Sequence, residues 1–419
     1  MKAIRQQAAD ILRANDRGGF TIPAAGLYPY QWLWDSCFCA LGWATFDEKR
    51  AWEELSWLFK GQWPDGMLAH IIFHHPDPSY FPGPEVWATH HDPPTSGITQ
   101  PPVVATIVRQ LLERACDRTL AQDHARQLYP KLLAFHRWLH GARDPEHSGL
   151  VAVLHPWETG MDNSPAWDTT LEQVPIVQLP PYQRKDTSHV AETQRPRPKD
   201  YDRYLSLVVG YRERGYEPEA LYRESPFKVA DVGFCALLQR ADEDLLALAQ
   251  MFGEPSAEIE GWLDRGRKGF RKLWDDHSGI YRSLNLSTGE SIPVITSASF
   301  LPLFAGLPSA EEAQRLVEHL GHWGDEVRYL VPSTDPADPH FEPERYWRGP
   351  VWVQVNWLIA QGLKRYGYAA LAGRLREDIF ELVEGSGFHE YYHPVTGEGL
   401  GGRAFSWTAA LLLAWPGEG

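Results

Sequence analysis

The sequence predicts an all-α protein, on two observations: apolar residues recur at helical spacing along most of the chain, and alternating strand patterns are scarce. Between 119 and 140, Leu128, Leu132, Phe135 and Leu139 fall at spacings of four, three and four, which is one stripe of a helix. From 256 to 274, Ile259, Trp262, Leu263, Gly266, Phe270 and Leu273 follow the same rule after Pro255 opens the turn. A third stripe, Leu371, Leu375, Ile379 and Leu382, ends at Gly385 and Gly387. Comparable patterns over 3–14, 33–45, 47–60, 101–117, 201–213, 228–252, 308–319, 350–366 and 402–414 bring the total to about a dozen helices.

The intervals 61–100, 141–200 and 321–349 are aperiodic and rich in Pro, Trp, His and Gly. Long ordered loops of this kind carry function more often than they carry packing. No internal repeat divides the chain. The run from Leu179 to Lys199 is Pro-rich, and its bland reading is a domain linker. Helical patterning resumes at Tyr201 in the same style, which favours an active-site flap at about 175–200 within one catalytic domain, 1–419.

Forty Lys and Arg against 55 Asp and Glu give a formal charge of −15, a field that repels nucleic acid and anionic membrane surfaces. An anionic small substrate would therefore need a local basic pocket. The start, MKAIRQQAADILRAND, mixes charge into an amphipathic pattern without the apolar core of a secretory signal, and no segment reaches membrane-spanning length. Four cysteines, Cys37, Cys39, Cys116 and Cys235, form no CxxC pair, which suits a reducing compartment. A cytoplasmic protein is expected, with homo-oligomerisation left open. Tryptophan is unusually frequent, at 18 residues. Indole faces stack on the C–H faces of sugars, so Trp mixed with Asp, Glu, Arg and Gln in loops suggests carbohydrate binding, although a large helical core also absorbs Trp.

Four clusters join aromatics to a carboxylate or an Arg: GLYPYQWLWDS at 26–36, HPWETGMDNSPAWD at 155–168, RYWRGPVWVQVNW at 345–357 and GFHEYYHPVTGEGLGG at 387–402. Hydrolysis of a glycosidic bond with inversion needs an acid to protonate the leaving oxygen and a carboxylate on the opposite face to activate water, roughly 6.5–9.5 Å apart. Residues distant in sequence can supply that pair.

GMDNS after PWE, WPDGM at 63–67, YWRGPVW at 346–352 and FHEYYHPVTGEG at 388–399 resemble the motifs of glycoside hydrolase family 63, specifically its bacterial mannosylglycerate hydrolases. The resemblance runs from about Gly26 to Trp407 and preserves the motif order. It implies an (α/α)6 barrel whose loops at one end form a sugar pocket. It implies Asp162 as general acid and Glu390 as general base, and places Asp35 on hydroxyls of the sugar. Tyr28, Trp32, Tyr346, Trp347 and Trp352 would shape the pocket walls. The implied substrate is 2-O-α-D-mannosyl-D-glycerate, with glucosylglycerate as a second. Arg195 is the candidate for its carboxylate, since a guanidinium offers two parallel hydrogen bonds, supported by Tyr80, Gln100 and Tyr201. The bland reading of Arg195 is a solvated flap residue. Other candidates for the catalytic carboxyls are Asp168, close to Asp162, and Glu398, close to Glu390; Glu158 reads as a structural partner.

Trp157, Met161 and Trp167 surround Asp162 in sequence, and desolvation by such neighbours raises a carboxyl pKa, as an acid requires. His70, His74, His75, His90, His91 and Asp92 invite a metal reading, but position 71 is Ile rather than the Glu of an HExxH site, so loop packing or hydrogen bonds to substrate are preferred and no cofactor or metal is expected. No GxSxG elbow, Walker loop or GxGxxG between strand and helix is present. Three alternatives remain: a family 63 α-glucosidase acting on a glucose disaccharide, a sugar epimerase on the same barrel using histidine bases, and a sugar-binding barrel without catalysis.

Overall fold

The computed structural model describes residues 2–415. The chain is predominantly helical. Its helices are α1 (Lys2–Asn15), α2 (Leu33–Trp43), α3 (Glu48–Leu58), α4 (Pro84–Trp87), α5 (Val104–Arg114) and α6 (Arg118–Ala142). There follow α7 (Asp168–Glu172), α8 (Pro198–Glu213), α9 (Pro218–Glu224), α10 (Val232–Phe252) and α11 (Ala257–Phe270). The last are α12 (Leu301–Ala305), α13 (Ala310–Glu326), α14 (Val353–Arg365), α15 (Ala369–Ser386) and α16 (Ser406–Ala414).

Burial sorts these helices into two kinds. Every residue of α2, α12 and α16 is buried, and α5, α10 and α14 are buried over most of their surface. A helix apolar on all sides must be surrounded by protein. Each of the six packs on the next, α2 on α5, α5 on α10, α10 on α12, α12 on α14, α14 on α16 and α16 back on α2, so the succession closes. Gly42 of α2 permits one of these contacts, because a Cβ there would stand 2.5 Å from Cα of Ala410 in α16. By contrast α1, α3, α6, α11, α13 and α15 each bury one stripe and expose the other face. Along the chain the two kinds alternate.

Helix starts follow local chemistry. Asp231 caps α10 by accepting from the backbone N–H groups of Gly233 and Phe234, and Ser309 with Glu312 forms a capping box on α13. Several expected helices begin a few residues later than their periodicity suggests, and before two of them a strand intervenes. Val229–Ala230 is a strand before α10, and Gly399–Arg403 is a strand before α16. Strands are two to five residues long and serve as loop fasteners, among them the hairpin of His389–Tyr392 with Gly399–Arg403. Among the described residues, no helix is long and apolar enough to cross a membrane.

Candidate active site

One pocket collects residues from the N-terminal ends of four buried helices and the loops that precede them. Trp34 and Asp35 come from the first turn of α2 and Gln100 from just before α5. Tyr346 and Trp347 precede α14, and Trp407 opens α16. The positive ends of these helices therefore face the cavity, a field that favours anionic and hydroxyl ligands.

Asp162 is set by the loop 155–168. Nδ1 of His155 accepts from the N–H of Trp157 at 3.1 Å, and Gly160 turns the chain with φ 70°. Any side chain at Gly160 would meet the Trp34 ring at 2.8 Å. Indole N–H of Trp167 donates to the carbonyl of Met161 at 2.8 Å, and the Tyr204 hydroxyl donates to that of Asp162 at 2.9 Å. Oδ1 of Asn163 accepts from the N–H of Trp347 at 2.9 Å, which ties this loop to the 345–348 turn. Behind it Arg143 and Glu158 pair at 2.5 Å, both buried, and Glu158 also accepts from the N–H of Leu154 at 2.7 Å.

Glu390 lies on the hairpin, 1% exposed. Oε1 accepts from the Tyr28 hydroxyl and Oε2 from the N–H of Gly402, each at 2.9 Å. Nη1 of Arg195 stands 3.9 Å from Oε2. Gly401 has φ 68°, and a Cβ there would come within 2.5 Å of that same carboxylate oxygen.

The two carboxyls face the same pocket with unlike surroundings. Burial raises Asp162 to about 7, Arg195 opposing and Glu390 adding to the rise; its side chain keeps partial exposure to the cavity. Burial also raises Glu390, but Arg195, the Gly402 N–H and the Tyr28 hydroxyl offset part of that. Asp35, 4% exposed, is raised well above the usual range by burial and then by the charge of Glu390. Unlike environments of this kind can separate the roles of two carboxyls in one site.

Of the residues singled out from sequence, Asp162, Glu390, Tyr28, Trp32, Asp35, Tyr80, Gln100, Arg195, Tyr201, Tyr346 and Trp347 all line this cavity. Trp352 does not. It stacks behind Trp347 with ring centres 3.7 Å apart and is 1% exposed, so it backs the wall rather than forming it. Arg195 is buried rather than solvated, its guanidinium over the Tyr346 ring at 4.3 Å. Tyr201 donates its hydroxyl to the Phe81 carbonyl at 3.2 Å, and Gln100 accepts from the N–H of Trp34 at 3.3 Å. Asp168 is outside the lining and makes a two-pronged ion pair with Arg348, both contacts at 2.8 Å, while Glu398 is exposed.

The histidines disperse. His70 enters the pocket, His74 hydrogen-bonds Gln31 at 2.7 Å between Phe20 and Trp57, and His91 bonds the carbonyls of Pro93 and Gln62. His75 packs beside Tyr30 and Phe20, and His90 takes a left-handed turn. Among the described residues, no three His, Cys, Asp or Glu side chains are grouped to hold a metal ion. Sequence reasoning passes over Asp186, Phe81, Phe405 and Trp407 as pocket residues. Phe81 and Asp186 sit in aperiodic loops with no motif of their own, and Phe405 falls in the 402–414 pattern that reads as helix. Trp407 falls in a helical pattern that reads as core, yet its indole N–H donates to the Glu390 carbonyl at 3.3 Å.

A cavity walled by indoles and lined by buried carboxyls with unlike surroundings, at the N-terminal ends of buried helices, is the site of a glycoside hydrolase. The chain belongs to the mannosylglycerate hydrolase MGH1-like glycoside hydrolase family, whose pattern matches residues 28–408. A mannosylglycerate hydrolase of Thermus thermophilus is 58% identical over 98% of this chain and 99% of its own length. A glucosylglycerate hydrolase of Mycolicibacterium hassiacum is 38% identical, covering 98% of this chain and 97% of that protein. The crystal structure of a glycoside hydrolase family 63 mannosylglycerate hydrolase from Thermus thermophilus, in complex with Tris and D-glycerate, superposes with a TM-score of 0.97 at 58% identity, covering 98% of this chain and 99% of that one.

Proposed function

We propose that this chain is an (α/α)6-barrel hydrolase that splits 2-O-α-D-mannosyl-D-glycerate into mannose and D-glycerate, with glucosylglycerate as a second substrate, by single displacement with inversion. The observation that carries the reading is the contrast between two carboxyls in one pocket: Asp162 is pushed up to about 7 chiefly by burial, while Glu390, also raised by burial, has part of that rise offset by donors to both of its oxygens. The closed succession of six buried helices, alternating with six amphipathic ones, supports the barrel. The substrates named for the related hydrolases support the aglycone.

In this reading Glu390 takes a proton from a water molecule, whose oxygen attacks C1 of the sugar from the face opposite the aglycone. Asp162 delivers its proton to the departing glycerate oxygen, so the bond breaks without forming a free alkoxide. Asp35 holds sugar hydroxyls, and Trp32 and Trp347 offer apolar faces to the ring. Arg195 meets the glycerate carboxylate, with Tyr80, Gln100 and Tyr201 around it. The segment 175–200 acts as a flap over the single catalytic domain: the Tyr391 hydroxyl donates to the Gln194 carbonyl at 2.9 Å, and Arg345 donates to that of Arg195 at 2.9 Å. Incubation with mannosylglycerate, glucosylglycerate and trehalose, followed by assay of free D-glycerate and hexose, tests the reading. It expects turnover of the two glycerate glycosides; a clear preference for the disaccharide overturns it.

A further inference from the structure

Arg195 lies between two carboxylates that compete for it. Its Nε donates to Oδ2 of Asp186 at 3.0 Å, and Oε2 of Glu390 stands 3.9 Å from its Nη1. Nη1 is buried and has no hydrogen-bond partner among the described residues. Arg184 locks Asp186 in place from the other side, donating Nε to Oδ1 at 3.1 Å and Nη2 to Oδ2 at 2.6 Å. Arg184 is itself held, its Nη1 donating to the Pro196 carbonyl at 2.6 Å and its guanidinium lying over the Tyr201 ring at 4.4 Å. All of these groups except Glu390 belong to the flap or to the helix it leads into, and Asp186 lines the pocket.

We propose that Asp186 is the positioning residue for aglycone recognition: by gripping Nε of Arg195 it keeps that guanidinium from collapsing onto Glu390 and turns its unpaired edge toward the carboxylate of the glycerate. A guanidinium left free between Tyr28, Tyr346 and Glu390 would otherwise neutralise the base that the reaction needs. The cluster of Arg184, Asp186 and Arg195 carries one net positive charge, which matches a single carboxylate. Burial alone would raise the Asp186 carboxyl, but Arg195 and Arg184 hold it down at about 2, so the grip persists across the working pH range.

The inference rests on the glycerate reading above, and calorimetric titration with two ligands separates the two. D-glycerate and D-mannose are titrated into the wild-type chain and into Asp186→Asn, which keeps the shape and removes the charge. The expected result is about tenfold weaker D-glycerate binding, the size of one lost charge-assisted hydrogen bond, with D-mannose binding unchanged. In mannosylglycerate hydrolysis the loss falls on KM rather than kcat. Equal D-glycerate affinity in both proteins overturns the inference alone, as does an equal loss for both ligands. A wild-type chain that does not bind D-glycerate overturns the inference together with the reading beneath it. If Asp186→Asn lacks a native melting transition, Asp186→Ser is titrated under the same criteria.

Discussion

Tyr28 donates its hydroxyl to Oε1 of Glu390 at 2.9 Å, joining the loop before α2 to a hairpin near the other end of the chain. The bond favours the ionised form of Glu390 against the burial that raises its pKa. Tyr28→Phe removes the donor and keeps the ring. The Glu390 pKa then rises further, so the acidic limb of the kcat/KM profile moves to higher pH, and the maximal rate falls about tenfold, the scale of one hydrogen bond to a charged group. An unmoved acidic limb contradicts this role.

In the proposed mechanism Asp162 must be protonated to act as the acid, and Glu390 must be ionised to act as the base. With Asp162 at about 7, raised chiefly by burial, activity falls as pH climbs through that value, because the acid loses its proton. Asp162→Asn lowers kcat by about 10²–10⁴-fold. Asp168→Asn, measured beside it, retains the chemistry and loses thermal stability, since Asp168 is committed to Arg348. Full activity in Asp162→Asn removes the assignment.

Gly401 leaves no room for a side chain against the Glu390 carboxylate. Gly401→Ala adds a Cβ at a left-handed φ of 68° and pushes Glu390 from its place. The expected loss is about 10²-fold in kcat, as for a displacement of about 1 Å in a reacting group. A steady-state comparison with wild type checks it.

Arg143 and Glu158 form a buried pair behind the loop 155–168. Arg143→Met leaves Glu158 buried without its cation, at a cost of about 3–5 kcal/mol. Denaturant unfolding reads this directly, and a change within about 0.5 kcal/mol, as for an ordinary surface substitution, contradicts it.

The long amphipathic helices are legible in the sequence because each has to bury one stripe. Helix α12 is not, since five residues, Leu301–Ala305, cannot display a 3.6-residue period. Without α12 the closed succession of buried helices is invisible to periodicity and enters only through family resemblance. Asp162 and Glu390 are placed by motif. Asp186 escapes a sequence reading because its significance depends on Arg184 and Arg195 folding around it in an aperiodic segment. Trp352 reads as a wall because motif proximity does not say which of two stacked indoles stands in front.

Proton NMR of the first turnovers of mannosylglycerate tests the central claim most directly, before the released sugar mutarotates. A water held by Glu390 and attacking opposite the bond that Asp162 protonates yields β-mannose first. Initial α-mannose would require a covalent intermediate or attack from the aglycone side, and would contradict the account.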